Sequence, residues 1–236
     1  MKFKISLIIL TILFVSIFAV SAGAQSDWEA VSGFNITNVT LDTYNDTIDR
    51  FNGYVDTGLS GSIPTSDFTE FENIDRVPLL YLGAKRPINE DWDLNIRYEY
   101  IFGEVEQNYS VGADSYDNSI AVGLHGLTLL GDYSINDNWY ASGGVGYHWG
   151  TKDTKLNGPV YDTIGPLSDS FDAGEQEYDL ENGVSLRAGI GYDREFAENW
   201  TFNGKIDYLY IELEDEGQGN IYSKGFSYTA GLSYNF

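Results

Sequence analysis

The chain has 236 residues, with 36 Asp and Glu against 13 Lys and Arg, a formal net charge of −23, and no cysteine. That balance argues against a nucleic-acid partner, which needs basic clusters to replace phosphate counterions, and the missing thiols exclude both disulfide stapling and a lipid-modified cysteine. Eighteen Tyr, 13 Phe, five Trp and 26 Gly against five Pro suit an aromatic-rich β protein and not a disordered one.

Residues 1–24 come first in chain order. Lys2 and Lys4 precede an apolar run from Ile5 to Val20 and then Ser21-Ala22-Gly23-Ala24, the order of a cleaved secretory signal peptide. The alternative, an uncleaved anchor, meets a run that is short for a membrane span. Cleavage after Ala24 leaves a domain of residues 25–236 with 11 basic and 36 acidic residues, a charge of −25. Such acidity suits a cell-surface protein bridged by divalent cations or one working in high salt. Beyond the signal no apolar stretch approaches the roughly 20 residues of a spanning helix. A transmembrane β-barrel escapes that test, because each strand carries only half an apolar pattern.

The first strand is read at Trp28–Ile36, with Trp28, Ala30, Ser32, Phe34 and Ile36 on one face. A long connection over about 38–75 follows. Leu41, Tyr44, Ile48, Phe51 and Val55 recur there at spacings of three and four, which predicts an amphipathic helix near 40–53. Such a helix either gates the mouth of the barrel or buries its stripe against the rim.

Further strands are read at about 76–88, 92–107, 118–135, 139–154, 178–196, 200–215 and 221–236, for a total of eight. Three turns organise them: Ile88-Asn89-Glu90-Asp91-Trp92, Ile135-Asn136-Asp137-Asn138-Trp139 and Phe196-Ala197-Glu198-Asn199-Trp200. Each reads as a tight hairpin connection. The connections at 108–117, 155–177 and 216–220 are longer and rich in Gly, Asp, Ser and Asn. Short turns at one end and longer loops at the other is the asymmetry of outer-membrane barrels. Each Trp that ends a turn begins an outward face bearing aromatics eight and ten residues later: Trp92 with Tyr100 and Phe102, Trp139 with Tyr147 and Trp149, Trp200 with Tyr208 and Tyr210. Ten residues at about 3.3 Å, tilted roughly 40°, rise about 25 Å, the height between two aromatic girdles.

In the strand at 118–135, Ile120, Val122 and Leu124 share one parity, and Leu127, Leu129, Tyr133 and Ile135 the other. A β-bulge near His125–Gly126 is expected to reconcile them. The last strand alternates without a break from Phe226 to Phe236, and it is expected to close on Trp28–Ile36.

The opposite faces carry Asp93, Asn95, Arg97 and Glu99, then Ser142 and His148, then Ser185, Arg187 and Asp193. Charges at mid-depth on the lipid side cost a few kcal/mol each, so this face is the lumen. Hairpin register sets Lys85 diagonal to Asp93, Lys205 to Asp193, and Arg187 to Asp207, within reach of long side chains. Eight strands enclose an interior just wide enough for side chains. The network is therefore read as a polar plug, with a selectivity lining as the alternative. Leu209, Ile211 and Leu213 also face inward and form either an apolar pocket for a small hydrophobic ligand or a seat for the first loop. His125 and His148 are placed in the lumen on neighbouring strands. They are read as hydrogen-bonded histidines in preference to a metal site or proton switch, so neither metal nor cofactor is expected. For an enzyme, His148 with Ser142 or Asp153 is the one arrangement that can be built, and none is expected. The acidic run Glu212, Glu214, Asp215 and Glu216 reads as a solvated loop that could take Ca²⁺.

With eight strands, Trp-led upstrokes and the terminal Tyr234-Asn235-Phe236 in place, the chain resembles small outer-membrane barrels of the OmpW/OmpX type over residues 25–236. The resemblance implies an all-β, eight-stranded, antiparallel, transmembrane up-and-down barrel with a short helix in the first extracellular loop. It also implies that Tyr234 and Phe236 are the signal read by the barrel-assembly machinery. OmpW-like members pass small hydrophobic molecules through an apolar lumen, whereas OmpX-like ones have packed polar interiors and act through surface contacts. The expectation is a monomeric, non-enzymatic protein in outer-membrane lipid, with a structural or surface role and limited binding or passage of a small solute. Loop-mediated adhesion is the second reading, and lipid modification a third.

Overall fold

The computed structural model of the chain describes residues 28–41, 45–46, 48–49, 52–53, 65–66, 69–159, 174–215 and 219–236. Alternating outward-apolar and inward-polar runs form eight strands: β1 Glu29–Leu41, β2 Val77–Pro87, β3 Trp92–Val111, β4 Asp114–Ser134, β5 Trp139–Leu156, β6 Gly174–Ala197, β7 Trp200–Asp215 and β8 Gly219–Asn235. Each pairs antiparallel with its successor, and β1 pairs with β8 from Glu29↔Asn235 to Leu41↔Ser223. The ring is closed. This up-and-down barrel is the architecture that the OmpW/OmpX resemblance implied. A two-residue strand, Thr65–Ser66, adds to the end of β3 at Val111 and Ser110.

The turns show why the strands stop where they do. Asn89 Oδ1 accepts from the amides of Asp91 and Trp92 at 2.9 and 3.0 Å, and Asn136 Oδ1 accepts from those of Asn138 and Trp139 at 3.0 Å each. In the third turn Ala197 stands where those asparagines do and cannot accept. Its chain instead turns through Asn199 at a φ of 65°, a left-handed conformation that Asn tolerates better than most residues.

The outer wall is what a lipid solvent selects. Phe34, Leu80, Ile96, Leu129, Val145, Leu186, Ile206 and Phe226, one from each strand, are all more than 40 % exposed. No Asp, Glu, Lys or Arg stands among the outward positions from Leu94 to Phe102, Val184 to Tyr192 or Phe226 to Tyr234. A water-soluble protein does not leave so continuous an apolar band uncovered. The barrel spans a membrane by its strands, and among the described residues no helix is long and apolar enough to do so.

Two expectations are corrected, and a third lies partly outside the described residues. The β3–β4 register runs unbroken from Trp92↔Tyr133 to Val111↔Asp114, so there is no bulge at His125–Gly126. The oily side changes there because Ile120, Val122 and Leu124 are buried inside, while the outward positions beside them are Ser119, Ala121, Gly123 and His125. The shifts in strand register lie instead in β6, between Glu181 and Val184, where the pairing with β5 also slips, and between Glu195 and Ala197. The loop expected at 108–117 is strand, closed by a turn at Gly112 with a φ of 66°. Of the helix expected over 40–53, residues 40 and 41 are strand, residues 45, 46, 48, 49, 52 and 53 have helical backbone, and the remainder lies outside the described residues.

Candidate functional site

The inward face divides into a polar half nearer the turns and a mainly apolar half nearer the loops, where Gln107, Asn118, Lys152 and Thr154 are also buried. At the turn end Lys85 Nζ lies 3.1 Å from Asp193, 3.5 Å from Asp93 and 3.8 Å from Glu29. Asn203 Nδ2 donates to Asp193 at 2.8 Å. The hairpin register foresaw Asp93, but Asp193 comes from β6 across the lumen. Eight strands make an interior narrow enough for one lysine to reach both walls.

One layer further in, Asp132 accepts from Asn95 Nδ2 at 3.2 Å and from Ser142 Oγ at 2.6 Å. Arg97 Nε donates to Asn95 Oδ1 at 3.0 Å, and its guanidinium sits 4.3 Å from the centre of the Tyr81 ring. Asp132 and Tyr81 were not singled out from the sequence, although strand parity already placed both inward.

At mid-barrel Arg187 Nη2 donates to Glu99 Oε2 at 2.7 Å, its Nη1 lies 3.6 Å from Asp207, and Lys205 Nζ lies 3.0 Å from Asp207. All four side chains are at most 2 % exposed. Lys205 does not meet Asp193 as its register suggested. Asp207, two residues along on the same face, is nearer, and Asp193 is engaged by Lys85. Buried ion pairs of this kind return little net stability against their desolvation, but removing one partner strands the other. Asn35, Thr37 and Thr229 complete the layer through hydrogen bonds of 2.9 Å.

His148 lies in this polar half, fully buried, with Nε2 2.8 Å from Ser185 Oγ. His125 does not share it. With no bulge in β4, His125 keeps the parity of Leu127 and Leu129 and faces outward. Its Nδ1 lies 2.6 Å from the Tyr98 hydroxyl, and its ring stacks on Tyr100 at 4.9 Å. The two histidines therefore cannot combine in one site. Among the described residues no group of three or more His, Asp and Glu could hold a metal ion. Ser142 bonds to Asp132 and Asp153 faces outward, so neither joins His148, and the Ser185 hydroxyl beside it is sealed from lipid and water.

Towards the loops, Leu209, Ile211 and Leu213 are buried at 2 % exposure or less. They pack in one cluster with Leu79, Ile101 and Leu124 of the wall and with Ile48, Phe71 and Ile74 of the first connection. Two asparagines lock that connection together. Asn45 Oδ1 accepts from the Ile74 amide at 2.9 Å, and Asn52 both donates to the Phe71 carbonyl at 3.0 Å and accepts from its amide at 3.2 Å. Of the two readings of Leu209, Ile211 and Leu213, a ligand pocket or a seat for the first loop, this packing matches the second.

Outside, each Trp of a tight turn packs on a Tyr of the neighbouring strand. Ring centres are 5.2 Å apart for Trp92 and Tyr133, 5.1 Å for Trp139 and Tyr192, and 4.9 Å for Trp200 and Tyr234, with Phe236 5.1 Å beyond Tyr234. Near the loops Tyr147 pairs with Trp149, Tyr208 with Phe226, and Tyr210 with Tyr222.

No family model matches the chain, and no curated protein does. Solved structures similar to it include the attachment invasion locus protein Ail of Yersinia pestis, at 13 % identity and a TM-score of 0.45, and Neisserial surface protein A, at 11 % and 0.47; both alignments cover 89 % of this chain and 98 % of the other. The N-terminal β-barrel domain of OprF from Pseudomonas aeruginosa aligns over the same shares at 13 % identity and a TM-score of 0.35. The fold described above rests on the chain's own strand pairings.

Proposed function

We propose that the chain is an integral barrel of the bacterial outer membrane, exported by its leader, which serves as a closed anchor and acts through its surface and not as a conduit or an enzyme. One observation carries this reading: the lumen is occupied along its length, by Lys85, Arg97, Glu99, Arg187, Lys205 and their partners in one half and by the apolar cluster around Leu209 in the other. Water-filled passage needs a wider ring of strands or an unplugged one. The tight turns then face the periplasm and the long connections the exterior. Tyr234 and Phe236, lipid-facing at the periplasmic edge, remain the proposed signal for the assembly machinery.

The exterior surface is acidic. Glu104, Glu106, Asp117, Asp153, Glu175, Glu177 and Asp179 stand exposed on the strand ends above the lipid band. A wall of that sign favours cationic partners and repels anionic ones. Planar-bilayer recording of the refolded protein tests the reading. No discrete channel is expected, either from the wild type or after deletion of residues 40–53, since the polar plug lies below that segment. Discrete openings in the wild type would restore the solute-passage reading.

A further inference from the structure

Two charged side chains, Arg86 and Arg194, stand on the outward face at the turn end, and Arg86 lies against an aromatic ring. Arg86 follows the outward positions Leu80, Leu82 and Ala84 of β2, while Lys85 beside it points into the lumen. It pairs across the sheet with Leu94, one outward position further into the band than Trp92. Its guanidinium lies 5.7 Å from the centre of the Trp28 ring. No carboxylate shares that stretch of wall among the described residues: Leu94, Ala84 and Trp28 are its outward neighbours, and Glu29 points inward to Lys85.

An arginine on the lipid face near the interface carries only a small cost, and a cation–π contact offsets it. Neither uses its five N–H donors, which are matched in geometry to a phosphate. Arg194 is a second exposed cation on the outward parity at the same end, opposite Phe202. The far end of the same wall carries the carboxylates of Glu104, Asp153, Glu177 and Asp179. An anionic headgroup is thus attracted at one rim and repelled at the other.

We infer that Arg86, held against the Trp28 ring, binds the phosphate of a phospholipid in the leaflet at the turn end of the barrel. The site fixes the depth of β1 and β2 and distinguishes one leaflet from the other. It rests on the membrane-spanning reading, and the following comparison separates the two.

Native mass spectrometry of wild type and Arg86→Gln refolded in detergent, each first shown to shift on a gel when heated, measures binding of added phosphatidylglycerol and of diacylglycerol. The wild type is expected to hold its first phosphatidylglycerol about tenfold more tightly than Arg86→Gln, the worth of one charge-assisted contact, and to show no such preference for diacylglycerol, which lacks phosphate. Trp28→Leu carries the same comparison if Arg86→Gln does not fold, with a loss of about threefold from the missing ring contact. Equal phosphatidylglycerol binding by wild type and the folded variants, or an equal response to diacylglycerol, would overturn the inference. A wild type that never shifts on heating would overturn the barrel reading, and this site with it.

Discussion

Inside the barrel, glycine and tyrosine work as a pair. The Tyr140 ring lies where a Cβ on Gly191 would project, and the Tyr81 ring lies over Gly33 and Gly231 in the same way. Those rings can lie flat against the wall only because the wall has no side chain there. Gly191→Ala is therefore expected to destabilise the refolded barrel by about 1–3 kcal/mol through overpacking, read as a shift of the urea midpoint. Gly204→Ala is the control: it faces outward, its added Cβ would meet Phe202 at 3.5 Å, an ordinary contact, and the midpoint should move by less than about 0.5 kcal/mol. The central ion pairs make a harsher test. Glu99→Gln leaves Arg187 buried with only Asp207, 3.6 Å away and already shared with Lys205. A loss of about 3–5 kcal/mol follows from stranding a buried charge, whereas Glu90→Gln in the first exposed turn should change stability within about 0.5 kcal/mol. Equal effects of the two substitutions would mean that the lumen is wetter than its burial implies.

Turns and strands were the parts most open to reading from sequence, because their rules are local. The motif of an apolar residue, three polar residues and Trp located all three hairpins, and its one exception has a stated cause in Ala197. Asn136→Ala should cost about 1 kcal/mol for its lost acceptor, with little change in fold, and Ala197→Asn should not harm the third turn. On β8, Phe236→Ala is expected to lower the amount of barrel reaching the outer membrane more than it alters any surface property; normal levels would undo the assembly-signal proposal and leave the barrel intact. Where the sequence misled, the missing information was environmental. In β4 the change of oily parity at His125–Gly126 reads as a shift of register, when it marks the depth at which apolar packing begins inside. Alternation reports two faces but not which solvent each one meets. His125 was misplaced for that reason alone. The pairing of Lys85 with Asp193 was hidden for another: it crosses the lumen between β2 and β6, and no local spacing encodes a contact across a closed ring.

At the scale of the whole molecule, two solvents and one narrow interior explain the distribution of residue types. The middle of the wall faces lipid and is apolar outward. Beyond it the strands continue into water and reverse their sense, with Ile101, Tyr109, Ile120 and Leu156 buried inside and carboxylates outside. The sidedness of β4 is the central claim, since the plug, the position of His125 and the membrane band all follow from it. The chain contains no cysteine, so single cysteines at positions 124 to 130 can each carry one nitroxide without background. In a phospholipid bilayer, electron paramagnetic resonance then reports the access of each label to oxygen, which is enriched in lipid. The expected result is unbroken alternation: high access at 125, 127 and 129, low access at 124, 126, 128 and 130, with Leu129 and Leu130 on opposite sides despite their identical chemistry. A reversal of phase between 124 and 127, or no alternation at all, would contradict the barrel as described.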